Sequence, residues 1–320
     1  MTKKPLRCGI VGTGAFAKLH AQAIANVSGV DLVAAYDTDR ARCEDFTSRF
    51  GGTLQKTLQD LLKNALDIVV VATSNAAHAD VICAVLKDVR VPRLLIVEKP
   101  LCVDRKDLNI IGDLIREKKI PLIVDHTRRF NAEFQQLQGL IMSGEMGTLR
   151  SMRWRYYAGW FHIGAHVVDT VRMLIGECAC TGATMAQVDR FNDDPLLDVT
   201  LQSKQFPHAS IVLTGVLEHP YKVFEGELEF SQGRIRIEWN EVFIDRVRDT
   251  AFGTSQLVFK EHFTVESTEK SLECLYEMCV NFLSGKDKKI LDVAGFDQAR
   301  RTMEVLFDAK GCAKNSPLLA

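Results

Sequence analysis

Two short stretches carry the residue types that acid–base and charge-stabilising chemistry needs. The first is Leu94-Leu-Ile-Val-Glu-Lys-Pro-Leu101. Its apolar start suits a parallel strand buried on both faces. Pro100 has no N–H and a fixed φ, so the strand is expected to stop there. Glu98 and Lys99 then stand at the carboxyl end of a buried strand, where open α/β sheets bind ligands. Lys99 is either a surface lysine at a strand end or the cation of a site, and the neighbouring motifs favour the site. The second stretch is Gly159-Trp-Phe-His162-Ile-Gly-Ala-His166-Val-Val-Asp169. A helix would stack His162, His166 and Asp169 along one face. Three uses stand open: a metal site, a satisfied structural pair, and proton transfer by a histidine that a carboxylate orients. No glutamate lies between the histidines and no third ligand is evident, which counts against a metal. Acid–base work near neutral pH is the favoured reading.

The elements that must position these residues begin at the first strand, Leu6–Val11, which runs into Gly12-Thr-Gly14-Ala15-Phe16-Ala17 and a helix to about residue 25. This is a Gly-x-Gly-x-x-Ala turn between a strand and a helix, the arrangement a dinucleotide pyrophosphate requires. Gly12 permits the tight turn and Gly14 lets the backbone approach phosphate. Ala17 lets the helix pack closely, and the N–H groups at the helix start, Ala15 and Phe16, face the anion. A second strand, 31–36, ends at Asp37, about 20 residues after the glycines, where an acid can bind both adenosine ribose hydroxyls. Asp37 would repel a 2′-phosphate, which favours NAD; Arg40 could receive one, which leaves NADP open. Asp37 also suits a helix N-cap ahead of a helix over 39–50. A short helix over 57–65 and a buried strand over 66–72 follow. Thr73 and Asn75 are then expected to line the nicotinamide half of the cleft, with His78 either capping the next helix (79–87) or touching cofactor. A helix over 105–118 and a strand over 120–124 complete a doubly wound parallel sheet.

From Asp125-His-Thr-Arg-Arg129-Phe130 onward the pattern changes. A helix over 131–143 and a turn at 144–147 lead to strands expected at 149–156, 181–191, 198–206, 209–217, 225–230, 233–239 and 241–248. Their period of two implies an open, mainly antiparallel sheet with one face packed. Helices are expected over 161–174 and near 271–283 and 293–310, with a charged loop at 284–289 between the last two. The expected division is a dinucleotide-binding domain over 1–125 and a substrate and oligomerisation domain over 126–320, whose last helix packs back on the first. The chain has 320 residues, 47% hydrophobic and 25% charged, with a formal net charge of −1. Two globular domains suit that length, and the charge gives no reason to expect nucleic acid or an anionic membrane. Nine scattered cysteines without a Cys-x-x-Cys pair suggest reduced thiols and a cytoplasmic protein. No apolar run is long enough for a signal peptide or a membrane helix.

Three ordered patterns, Gly12-x-Gly14-x-x-Ala17, Glu98-Lys99-Pro100-Leu101 and Gly164-x-His166-x-x-Asp169, together resemble the glucose–fructose oxidoreductase, inositol dehydrogenase and rhizopine-catabolism family. Thr73-Ser-Asn-Ala-Ala-His78 and Arg128-Arg129-Phe130 resemble its connecting segments. The likeness spans about residues 5 to 180. It implies an N-terminal Rossmann domain, a C-terminal α/β domain with an open sheet, and NAD(P)-dependent oxidation of a secondary alcohol on a sugar, sugar derivative or cyclitol. It puts Lys99 and His166 at the family's catalytic positions, with Asp169 orienting His166 or holding its helix. It also implies a homodimer or homotetramer through the open sheet, and a cis Lys99–Pro100 bond. His162 stands where the family often has an acid. His162, Arg129, Tyr157 and Trp160 are candidates for the substrate pocket. Two other functions remain in view: a non-catalytic NAD(P)-sensing regulator, and a reductase of a non-sugar substrate.

Overall fold

The computed structural model describes residues 4–189, 194–216, 221–253 and 255–314. The chain divides into two compact units, Met1–Phe130 with Ser267–Met303, and Asn131–Glu266 with Glu304–Ala320. In the first unit, strands β1 (Leu6–Val11), β2 (Val30–Tyr36), β3 (Thr53–Leu54), β4 (Ile68–Val71), β5 (Leu94–Glu98) and β6 (Leu122–Asp125) alternate with helices α1 (Ala15–Asn26), α2 (Arg40–Phe50), α3 (Leu58–Leu62), α4 (His78–Lys87) and α5 (Arg105–Lys118). The strands lie in the order β3-β2-β1-β4-β5-β6, all parallel. The order reverses beside β1, and that crevice at the carboxyl ends is where doubly wound sheets bind ligands. Strands β4, β5 and β6 are buried along their whole length, as a parallel sheet covered on both faces demands.

The C-terminal segment completes this unit. Helix α8 (Thr268–Leu283) packs beside α1 and adds Leu272, Leu275, Tyr276 and Cys279 to the same apolar core. The expectation of helices over 271–283 and 293–310 is met by α8 and by α10 (Phe296–Lys314), with an unforeseen short helix α9 (Lys289–Ala294) between them.

The second unit holds α6 (Ala132–Met142), β7 (Leu149–Tyr156), α7 (Ala165–Ile175) and strands β8 (Cys178–Asp189), β9 (Asp194–Ser203), β10 (Ser210–Gly215), β11 (Phe224–Phe230), β12 (Gly233–Glu238), β13 (Glu241–Asp249) and β14 (Ser255–Thr264). They form one sheet, β14-β13-β12-β11-β7-β10-β9-β8, in which β7 with β10 is the parallel pair among the described residues and the other neighbours are antiparallel. Burial alternates along β11 and β12, so one face packs and the other meets solvent. Strand β14 went unforeseen because its residues are almost all exposed and show no alternation; pairing to β13 alone makes it a strand. The expected strand ends at Phe191 and Leu217 lie outside the described residues. Among those described, no helix is long and apolar enough to cross a membrane.

Candidate active site

The turn after β1 is built as its glycines require. Gly12 has φ +87°, and a Cβ there would lie 2.5 Å from the Ala72 carbonyl oxygen. Its N–H donates to Tyr36 O at 2.8 Å. Over Gly14, by contrast, an added Cβ would meet nothing within 4 Å. Helix α1 starts immediately after, with Gly14 as N-cap and no side chain capping it. Ala15 and Phe16 are exposed there. Open space above a glycine and an uncapped helix N-terminus together suit an anion.

Asp37 follows β2 and is saturated with donors. Its Oδ2 accepts from Thr13 N (2.7 Å), Thr13 Oγ1 (2.9 Å) and Arg42 Nε (3.0 Å). Its Oδ1 accepts from Asp39 N (2.9 Å) and Arg42 Nη2 (2.8 Å). Burial alone would raise this carboxyl, but the hydrogen bonds from Arg42, Asp39 and Thr13 outweigh it and hold it well below the ordinary carboxylate range. Arg40 is paired with Glu44 at 2.8 Å and lines the groove beside Asp37, while the arginine that meets Asp37 is Arg42. One expectation is corrected here: the N-cap of α2 is Asp39, which accepts from Arg42 N at 3.0 Å, not Asp37. Beside Asp37 lies an open groove lined by Tyr36, Thr38, Arg40, Leu54, Gln55 and Lys56 among others. Lys56 is a cation there that sequence reasoning missed; it lies between β3 and α3 (the segment Gln55–Thr57), where no motif pointed to it.

Because the folded Asp37 pKa lies below its unfolded value, its stabilisation is present above about pH 4 and is lost as pH falls through the folded value. Acid titration of unfolding should therefore show a stability loss below about pH 4 that Asp37→Asn flattens; equal acid limbs in the two proteins would remove Asp37 from that account.

At the carboxyl edge of β4, the Thr73 hydroxyl is buried and has no hydrogen-bond partner. An orphaned hydroxyl on this edge fits a ligand that supplies the missing partner. Asn75 is half-buried in a 3₁₀ turn, Asn75–Ala77. His78 opens α4, and both of its ring contacts are carbonyl oxygens, Pro100 O at 2.7 Å and Thr73 O at 3.2 Å. Burial lowers its pKa, so the ring is neutral and has one N–H to donate. The shorter contact, Nδ1–H to Pro100 O, takes it. His78 therefore braces the strand end beyond β5; the expected helix cap is not what it does.

Glu98 and Lys99 close β5, and both are buried, at 6% and 5% exposure. The Lys99–Pro100 bond is cis. In parallel register Glu98 pairs with Asp125, the last residue of β6, so the two carboxyls point to the same side of the sheet. His20 of α1 meets them there: its Nε2 lies 2.9 Å from Glu98 Oε1 and 3.9 Å from Asp125 Oδ2, and its Nδ1 lies 2.8 Å from the Tyr276 hydroxyl of α8. Burial pushes Asp125 up to about 8, and the charge of Glu98 adds to the push. Burial opposes ionisation of both His20 and Glu98, yet their mutual hydrogen bond and attraction win, raising the histidine and lowering the glutamate. The cluster is thus a buried, hydrogen-bonded His20–Glu98 pair beside a carboxyl that burial pushes toward its protonated form. Of its members sequence reasoning found only Glu98, because nothing local marks His20 or Tyr276.

In the second unit the expected helix over 161–174 is two pieces. Trp160–Gly164 forms a π-helical turn, and α7 begins at Ala165. His162 and His166 are therefore not spaced along a regular α-helix as expected. Asp194 caps this turn: its Oδ1 accepts from Phe161 N at 3.0 Å and its Oδ2 from His162 N at 2.8 Å. Gly159 makes room, since a Cβ there would run into that carboxylate. His162 and His166 are both half-buried. Asp169 is 2% exposed and sits 3.9 Å from Arg172, which in turn holds Glu177 at 2.9 Å. Trp160, expected at a pocket, is fully buried, with its indole N–H on Leu306 O at 3.0 Å; it packs this unit's core. Tyr157 is half-buried against Trp239. Arg129 belongs to the first unit, is 7% exposed, and donates to Val293 O at 2.9 Å; it ties α9 to the end of the first sheet. Asp194→Ala removes two buried acceptors and should cost about 2–4 kcal/mol of stability. Denaturant unfolding checks this, and a loss under about 0.5 kcal/mol would show that Asp194 does not shape the turn.

The order of the first sheet, the glycine turn and the edge residues define a Rossmann dinucleotide-binding unit, followed by a second unit with a large open sheet. Residues 6–126 match the model of the oxidoreductase family with an NAD-binding Rossmann fold. Inositol 2-dehydrogenase of Salmonella typhimurium is 31% identical over 157 residues, 48% of this chain and 46% of that protein. Glucose-6-phosphate 3-dehydrogenase of Bacillus subtilis is 24% identical over 147 residues, 46% of this chain and 41% of that protein. The matched part thus spans under half the length of these relatives. Among solved structures, a 3-ketoreductase of Actinomadura kijaniata with NADP shares the fold at TM-score 0.79 and 20% identity, covering 97% of this chain and 98% of that one. An oxidoreductase of Agrobacterium radiobacter with NAD+, L-tartaric acid and magnesium does so at TM-score 0.78 and 18% identity, covering 98% and 97%.

Proposed function

We propose that the protein is an NAD(P)-dependent oxidoreductase that moves a hydride between nicotinamide and a secondary alcohol or ketone of a sugar, sugar derivative or cyclitol. The observation that carries this reading is the carboxyl edge of the first sheet. There an open glycine turn, an orphaned Thr73 hydroxyl and a buried lysine follow one another along three adjacent strands. Gly12, Gly14 and the start of α1 hold the pyrophosphate, Asp37 with its groove the adenosine, and Thr73 and Asn75 the nicotinamide half. The bound nicotinamide supplies the hydride acceptor or donor. Lys99 donates a charge-assisted hydrogen bond to the substrate oxygen as negative charge develops on it. His166 accepts the hydroxyl proton, on the strength of the Gly164-x-His166-x-x-Asp169 pattern at the start of α7. His162 and Tyr157 are the residues proposed to choose the substrate.

The names of the curated relatives suggest the panel: myo-inositol, glucose 6-phosphate and simple sugars with NAD+ or NADP+, read by the appearance of reduced-nucleotide fluorescence. Turnover of a polyol or sugar is the expected result. Tight nucleotide binding with no turnover across the panel, in either direction, would point instead to a sensing role.

NAD is the preferred cofactor on this reading, because the Asp37 charge lies where a 2′-phosphate would go. Removing that charge leaves Arg42 without its partner and Arg40 and Lys56 along the groove. Asp37→Ala should shift the NADP+/NAD+ affinity ratio by about tenfold or more toward NADP+, some 1.4 kcal/mol. Titration of both nucleotides measures it, and an unchanged ratio would put the ribose elsewhere.

A further inference from the structure

The end of β5 is gripped from two directions, and the grip has a purpose beyond folding. On one side His20 holds the Glu98 carboxyl at 2.9 Å. On the other, His78 donates to Pro100 O at 2.7 Å. Lys99 is the residue between the two held positions. His20 itself is oriented by the Tyr276 hydroxyl at 2.8 Å, from a helix more than 250 residues away in sequence. Its ring stands nearly perpendicular to that of Tyr276, at 88°. His20 and Tyr276 are both fully buried.

Burying a histidine, two carboxyls and a phenol in the interior is expensive, and aliphatic side chains of similar volume would pack this layer at lower cost. What the polar set adds is direction. A carboxylate held by one N–H whose ring is fixed by a second hydrogen bond has one orientation, whereas an apolar contact would tolerate several. A held carbonyl then fixes the backbone on the far side of Lys99.

We propose that His20 and Tyr276 are positioning residues for Lys99: through Glu98 they set the direction of its side chain. The proposal rests on the catalytic reading of Lys99, but its geometry is independent of any substrate. The ligand atoms of His20, Glu98 and Asp125 lie within 4.8 Å of one another, a spacing a divalent cation could also use. His20 Nε2 and Glu98 Oε1 also stand at hydrogen-bond distance, 2.9 Å, and a shared proton is the arrangement tested below.

The test reads Lys99 directly. Wild type, Tyr276→Phe, His20→Gln and the double variant, each with NADH bound, are labelled with acetic anhydride at pH 8. The rate at Lys99 is read by peptide mass spectrometry against an exposed lysine in the same sample. NADH affinity and melting temperature are measured alongside. Tyr276→Phe keeps the ring and removes one hydroxyl, so it should fold. Expected are labelling at Lys99 at least threefold faster in Tyr276→Phe, faster still in His20→Gln, and no further gain in the double variant, because Tyr276 acts through His20. NADH affinity stays within about twofold in Tyr276→Phe.

Lower melting temperatures with unchanged Lys99 labelling in Tyr276→Phe and His20→Gln would overturn the proposal and leave a purely structural cluster. Additive gains in the double variant would overturn the route through His20. Labelling that changes on dialysis against a chelator would overturn the assignment of a proton in favour of a metal. If labelling responds as expected while Lys99→Met retains full turnover, positioning stands and the catalytic reading of Lys99 fails.

Discussion

Lys99→Met is expected to lower turnover by about 10²–10⁴ while nucleotide affinity stays near that of the wild type. Methionine nearly matches the lysine stem in length and keeps its apolar contacts, so the change removes the ammonium with little loss of packing. Glu98 is held by His20 and the Pro100 carbonyl by His78. Neither grip uses the Lys99 side chain, so the strand end should keep its course. What disappears is the group that meets negative charge on the substrate oxygen. That charge develops in the transition state, so the loss should fall on kcat more than on KM. An ammonium at 5% exposure is desolvated enough for such an interaction to be strong. Steady-state kinetics on the substrate found in the panel, with NADH affinity by fluorescence, gives the answer. Full activity in this variant would remove Lys99 from the mechanism.

The parts of this molecule that a local pattern could reveal were those in which one segment does one job. Helix α5 was expected over 105–118 and is observed at Arg105–Lys118, because its apolar stripe and its Asp104 cap lie within one stretch. The parallel sheet was legible for the same reason: each strand is a short apolar run ended by a turn. Failures arose where the decisive partner is distant in sequence. Arg40 is three residues from Asp37 and Arg42 five, yet the first turn of α2 points the farther Arg42 back to it and Arg40 forward to Glu44. The helix expected across His162 and His166 was read from spacing alone, but the segment opens with a π turn whose first N–H groups are taken by Asp194, over thirty residues later. Trp160 was a candidate for the substrate pocket; its indole N–H reaches Leu306 O, a contact no spacing could show. The same holds for His20, whose partners Glu98 and Tyr276 come from β5 and α8. Sequence reasoning thus pointed to Glu98-Lys99-Pro100 and missed what holds that strand end.

The glycine turn offers the other large effect, and its two glycines should fail in different ways. Gly12→Ala puts a Cβ 2.5 Å from the Ala72 carbonyl oxygen, at a φ of +87° that side chains rarely adopt. The atoms it meets are backbone at the end of β4, which cannot swing aside as a side chain would. The turn must therefore move, and Thr13, whose N–H and hydroxyl both reach Asp37, must move with it. Strain and lost hydrogen bonds together should cost about 2–4 kcal/mol of stability, and nucleotide binding should fall with the turn. Gly14→Ala is the opposite case. Its φ is −72°, and the new methyl would meet no protein atom within 4 Å. The fold should survive within about 0.5 kcal/mol, while the methyl enters the space assigned to the pyrophosphate and NADH affinity drops by about tenfold or more, 1.4 kcal/mol per decade. Denaturant unfolding and NADH titration on both variants separate the two losses. A Gly14→Ala protein that binds NADH as tightly as the wild type would mean that no phosphate crosses that backbone, and the dinucleotide reading of the whole carboxyl edge would go with it.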